Sequence, residues 1–206
     1  MRNQEFNLVI AGVGGQGLIT LLRIVSEAAL IQGFDVKTSE LHGLSQRGGS
    51  MEVHARFGKN VFSPLVRQGG ADLLIALELQ EALRACYYAS QEKTIFLLND
   101  FFSPVLKGEI LKKEEVLKNL EDFSKEKILI AASEICKKEI GKEVLAGVFL
   151  LSYASFKDLI PLRTVSISKA IEKIIPEKYL QINKKAFELA KIQTKQCHAF
   201  STTPKK

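Results

Sequence analysis

The chain has 206 residues, 46% hydrophobic and 25% charged, with 29 Lys/Arg against 23 Asp/Glu for a formal net charge of +6. Those proportions suit one ordinary globular domain and exclude a disordered or fibrous chain. The most apolar stretch, Val144 to Ala154, contains Gly147, Ser152 and Tyr153 and is too short to span a bilayer. The apolar segment behind Arg2 is broken by Gly12 to Gly17, where a signal peptide would need a continuous helix. A cytoplasmic protein with no membrane partner is expected.

In chain order, Asn7 to Val13 reads as a buried strand ending in glycines. Leu18, Leu21, Leu22, Val25, Ala28 and Ala29 recur at helical spacing, and Gly33 closes that helix. Asp35 to Glu40 gives a second strand, completing a strand–helix–strand unit. Met51 to Phe57 alternates, with Met51, Val53, Ala55 and Phe57 on one face and Glu52, His54 and Arg56 on the other. Gly58-Lys59-Asn60 is expected to turn this strand so that Val61 to Ser63 returns antiparallel as an inserted hairpin. His54 then reads as a surface or interface residue.

Further strands are expected at Ala71 to Leu77, Thr94 to Leu98 and Lys127 to Ala131, with helices between them. Ile167, Ala170, Ile171, Ile174 and Ile175 mark a helix that Pro176 stops. Pro176 also suits the start of a last helix carrying Tyr179, Ile182, Ala186 and Leu189 inward. Beyond Cys197, with His198, a flexible tail is expected, so residues 1–196 form the domain and 197–206 the tail. The resulting fold is α/β: a three-layer, Rossmann-like, mostly parallel sheet with an inserted β-hairpin and a helical C-terminal end.

Cys86, Cys136 and Cys197 are far apart and form no C-x-x-C pair, which argues against a zinc site or an iron–sulfur cluster held by this chain alone. The positive excess lies in the second half, where residues 104–206 carry 20 Lys/Arg and 13 Asp/Glu. It is mostly lysine spaced by glutamate, without the arginines and aromatics of a nucleic-acid surface. A solvated helix face accounts for it, the alternative being a surface for an acidic protein.

Two glycine loops carry the chemical information. Gly12, Gly14 and Gly17 match G-x-G-x-x-G between a strand and a helix, and with Gly15 and Gln16 they form an anion- or cofactor-facing candidate. Glu40 lies 23 residues beyond Gly17, near where a ribose-binding carboxylate belongs. The competing reading is that the glycines only let helix and strand pack closely, while the second loop fills the crevice. That second loop runs from His42 to Ser50. Its Arg47, between Gln46 and Gly48-Gly49-Ser50, offers paired donors for a carboxylate or phosphate, and His42 a hydrogen bond or proton near neutral pH. Equally, Arg47 could pair internally with Glu40 or Glu52.

Gly12 to Gly17, Thr38 to Ser50 with its Ser45-Gln46-Arg47-Gly48-Gly49-Ser50 run, Phe62-Ser63-Pro64-Leu65, Gly70 to Glu78 and Asn183 to Phe187 together resemble the gamma-type domain of 2-oxoacid:ferredoxin oxidoreductases, nearest to the small (beta) subunits of its indolepyruvate group. The likeness covers about residues 7 to 195; the stretch from Lys107 to Lys127 adds no distinctive motif. It implies a subunit of an enzyme that oxidatively decarboxylates aryl pyruvates with CoA and passes electrons to ferredoxin. It also implies a large alpha subunit holding thiamine diphosphate and the iron–sulfur clusters. This chain then contributes no catalytic residue or metal ligand of its own, and His42, Gln46, Arg47, Gly48, Gly49 and Ser50 are the interface or substrate-proximal candidates. A gamma subunit for pyruvate or another 2-oxoacid is the close variant, and a stand-alone nucleotide-binding module the distant one.

Overall fold

The computed structural model describes residues 5–43, 48–103 and 111–199, the last four of these by backbone alone. The expected tail beyond Ala199 lies outside these residues. Six strands form one sheet: β1 (Phe6–Val13), β2 (Asp35–His42), β3 (Ser50–Gly58), β4 (Leu73–Ala76), β5 (Ile95–Asn99) and β6 (Glu126–Ile130), in the order β2-β3-β1-β4-β5-β6. β1, β4, β5 and β6 are mutually parallel, and β3 is antiparallel to both its neighbours.

Hydrophobic patterning explains the layering. Leu8, Val9, Ile10 and Ala11 of β1 and Leu73 to Ala76 of β4 are wholly buried, so these central strands are apolar on both faces. One face is covered by α1 (Leu18–Ile31), α4 (Ala132–Ile140), α5 (Ala146–Phe156), α6 (Thr164–Ile174) and α7 (Glu177–Ala199). The other is covered by α2 (Leu79–Arg84) and α3 (Lys113–Asn119) with the 3-10 turn at Ala85–Tyr88. α1 buries Leu18, Leu21, Leu22, Ile24 and Val25, each contributing about 1.5–3 kcal/mol. α5 is buried from Ala146 to Ser155, which its apolar circumference requires. Its Gly147 is where α1 approaches: a Cβ there would lie 2.5 Å from Leu21 Cδ1.

Four expectations are corrected. Val61 to Ser63 is not a strand. The Val61 N–H donates to the Asp35 carboxylate at 2.9 Å, outside any ladder, and β3 instead pairs on both edges, entering between β1 and β2. The hairpin is therefore β2–β3. His54 is not at the surface: it is fully buried, its Nδ1 accepts from Val66 N–H at 3.1 Å, and its ring meets Tyr88 edge-on at 4.5 Å. The segment leading to β4 folds back over β3 and covers it. Tyr179 stays about half exposed, while Asn183, Ala186 and Ala190 face inward on α7. That helix also continues through Cys197 and His198 to Ala199. Elsewhere the strand bounds move by one or two residues.

Candidate functional site

β1, β2 and β4 run in the same direction, so the Gly12–Gly17 loop, the root of the His42–Ser50 loop and Glu78 after β4 all meet at the carboxyl end of the sheet. Ligands of such sheets bind beyond that end. The two glycine loops are bonded to each other there. Gly14 N–H donates to the Gly49 carbonyl at 2.8 Å, and Gly48 N–H donates to the Gly14 carbonyl at 3.3 Å. Gly43 N–H donates to the Ser50 carbonyl at 3.1 Å and closes the neck of the second loop. Gly48 has φ 67°, a left-handed conformation that glycine adopts without strain.

The first loop is filled from within. Gln16 Oε1 accepts the Val13 N–H at 2.8 Å, and Gln16 Nε2 donates to the Leu77 carbonyl at 3.3 Å. A Cβ on Gly12 would come within 2.6 Å of that Oε1, so Gly12 makes room for the Gln16 side chain. The Val13 and Gly14 amides are thus engaged by Gln16 and Gly49. Asn99 extends the network: its Nδ2 donates to the Leu77 carbonyl at 3.0 Å and to Ser133 Oγ at 2.7 Å. Gly15 and Gly17 have positive φ and shape the turn into α1.

Glu40 stands apart from this cluster. With β3 between β1 and β2, it lies level with Ile10 and two strand spacings away, roughly 10 Å. A plain dinucleotide fold has its second strand directly beside the first. Here Glu40 Oε2 instead meets His42 Nε2 at 3.3 Å, both side chains being largely exposed. Gln46 and Arg47 lie outside the described residues.

The structure adds carboxylates that the sequence did not single out. Ser50 Oγ donates to Glu81 Oε2, fixing the far limb of the second loop to α2. Glu81 is almost wholly buried, and burial holds its carboxyl above the usual range against the opposing pull of Ser50 and Arg84. Glu78 caps α2, its Oε2 accepting from Glu81 N–H and its Oε1 from Ser103 N–H, both at 3.0 Å. Burial, followed by the nearby Glu52 charge, raises the Tyr88 phenol above its ordinary value. The available signal was Glu78-Leu79-Gln80-Glu81, acidic residues straddling the start of a helix. Nothing in the chain order joins Glu81 to Ser50.

Among the described residues no three His, Cys, Asp or Glu side chains are grouped to hold a metal. Burial pushes the Cys86 thiol up to about 12 and the Cys136 thiol to about 11, opposite to what thiolate ligation needs. The donor set described here does not fit an iron–sulfur cluster. No described helix is long and apolar enough to cross a membrane.

Residues 7–191 match the family model described as pyruvate ferredoxin/flavodoxin oxidoreductase. The chain is 35% identical over 193 residues to the indolepyruvate oxidoreductase subunit IorB of Archaeoglobus fulgidus, covering 90% of this chain and 93% of that one. It is 34% identical over 190 residues to IorB of Thermococcus kodakarensis, covering 90% and 94%. Its fold resembles the gamma subunit of a keto/oxoacid ferredoxin oxidoreductase from Geobacter sulfurreducens, with TM-score 0.67 at 20% identity over 90% of this chain and 95% of that one. It also resembles part of the 2-oxoglutarate:ferredoxin oxidoreductase of Magnetococcus marinus, with TM-score 0.69 at 18% identity over 94% of this chain and 31% of that one. The chain therefore belongs to the pyruvate ferredoxin/flavodoxin oxidoreductase family.

Proposed function

We propose that this chain is the small subunit of an indolepyruvate ferredoxin oxidoreductase, working with a large subunit in the CoA-dependent oxidative decarboxylation of aryl pyruvates. The observation that carries this is identity of 34–35% to IorB subunits across nine-tenths of both chains. Thiamine diphosphate, held by the large subunit, would supply the electron sink for decarboxylation, and iron–sulfur clusters there would provide the route for electrons to ferredoxin. No step is assigned to those groups within this chain.

This subunit's part is positional. The bonds from Gly14 to Gly48 and Gly49, from Gly43 to Ser50 and from Ser50 to Glu81 fix both roots of the Gln46–Arg47 segment at the carboxyl end of the sheet. Arg47 is the residue of that loop suited to the oxoacid carboxylate or a CoA phosphate, because a guanidinium carries paired donors, and Gln46 and His42 are the further candidates. The subunit thereby completes the wall of a site whose reacting centre belongs to the partner, and alone it is inactive.

The test is reconstitution with the large subunit, following CoA-dependent dye reduction with indolepyruvate and with pyruvate. Faster turnover with indolepyruvate supports the reading. Preference for pyruvate moves the chain to the gamma subunits of pyruvate enzymes. Arg47→Ala should raise KM or lower kcat in the assembled complex. Unchanged assembly, kcat and substrate affinity would remove the role given to that loop.

A further inference from the structure

Phe62 is the most exposed large apolar side chain among the described residues, at 93%, and Leu65 beside it is 47% exposed. Isolated surface apolar residues are commonplace. This pair differs because its backbone is clamped. Arg56 Nη1 donates to the carbonyls of Ser63 at 2.7 Å and Leu65 at 3.1 Å. Arg56 itself is held by Asn7 Oδ1 at 2.8 Å and by an ion pair with Glu5. Val61 and Val66, at the two ends, are buried and bonded to Asp35 and His54. Pro64 fixes one further dihedral. A loop so constrained loses little additional freedom when its exposed side chains dock, which favours affinity.

The surrounding charge states what would dock. The nearby acids are already matched, Asp35 with Lys37, Glu5 with Arg56 and Asp72 with Lys93. Lys59 and Arg67, flanking the loop, have no acidic partner among the described residues. Arg67 stands at a polar cavity of about 540 Å³ lined also by Glu5, Asn7, Arg56, Asp72 and Lys93.

We infer that Phe62 and Leu65, with Arg67, form a docking surface for the large subunit. The large subunit would supply an apolar socket for Phe62 and a carboxylate on its rim for Arg67. This rests on the proposed function. The loop joins β3 to β4 from the amino end of β1, opposite the two glycine loops, so docking here is separable from the site at the carboxyl end.

The test co-expresses the full chain with its large subunit and measures the association constant. Phe62→Ser should weaken association roughly thirtyfold, as truncation of an interface anchor does. Phe62→Leu should retain most of it. Arg67→Glu should weaken it further and remove much of its salt dependence. The isolated Phe62→Ser chain should melt with the wild type; a lowered melting point would show an internal role and overturn the inference. Wild-type association matched by both Phe62→Ser and Arg67→Glu overturns the docking surface alone. Failure of the wild-type chain to associate overturns the proposed function, and the docking surface with it.

Discussion

Gly14 donates its amide to the Gly49 carbonyl at 2.8 Å, so the nucleotide-type loop is bonded directly to the family-specific loop. With Gln16 engaging the Val13 amide from the other side, two of the loop's backbone donors are already in use. Calorimetry of the isolated chain with NAD or NADP is expected to give no binding heat. Tight binding of either would show that the loop opens in solution.

Gln16→Ala removes the acceptor of the Val13 N–H and the donor to the Leu77 carbonyl. An unsatisfied group in that setting costs about 1–3 kcal/mol. A fall of that size in urea-unfolding free energy is expected; a loss well below 1 kcal/mol would mean water replaces the amide freely.

Gly147→Ala tests the helix crossing. Its Cβ would meet Leu21 Cδ1 at 2.5 Å and Cγ at 3.2 Å, and Leu21 is buried with little room to turn. Overpacking of this kind costs about 1–3 kcal/mol. Paired with Leu21→Ala, the added methyl should be much less harmful than in the wild type, and a double-mutant cycle measures that coupling.

Glu81 gives a pH prediction. Its folded carboxyl is raised by burial above the ordinary value of 4.5, so the folded state holds its proton more tightly than the unfolded one. The resulting stability is fully present below the unfolded value and is lost as pH rises through the folded one. Glu81→Gln, which stays neutral and can still accept from Ser50, should be more stable than the wild type near pH 7. The gain should shrink as pH falls through the raised folded value and be gone well below 4.5. A gain that persists unchanged in acid would mean that packing, not the charge, sets it.

Cys86 and Cys136 should resist thiol reagents in the native state, because the reactive thiolate is disfavoured and both side chains are buried. In a Cys197→Ser background, Ellman's reagent should react with both thiols only after denaturant is added. Fast native-state reaction would place at least one of them at the surface.

The sheet and its helices were legible because central strands and covering helices differ in period: Leu8 to Ala11 is apolar throughout, while Leu18 to Ala29 repeats at helical spacing. Alternation from Met51 to Phe57 located the inward face correctly. It misjudged the reverse face because the cover over His54 arrives from Val66 and Tyr88, residues with no periodic relation to β3. The same applies to Ser50 and Glu81, which are 31 positions apart and meet only through the sheet order. Two glycine runs after strands indicated neighbouring loops. Which groups they would bond depended on β3 lying between β1 and β2, and local pattern does not encode that.

The wedged position of β3 also bears on how the chain assembles. β1 is made first, yet its two hydrogen-bonded neighbours are β3 and β4, and β2 joins the sheet only through β3. During synthesis the first strand, helix and second strand therefore emerge with no pairing available between the two strands. Sheet formation begins only when Ser50–Gly58 can slot between them. Until then Leu8 to Ala11 is an unprotected apolar segment on the nascent chain, the kind of exposure that invites aggregation or chaperone capture.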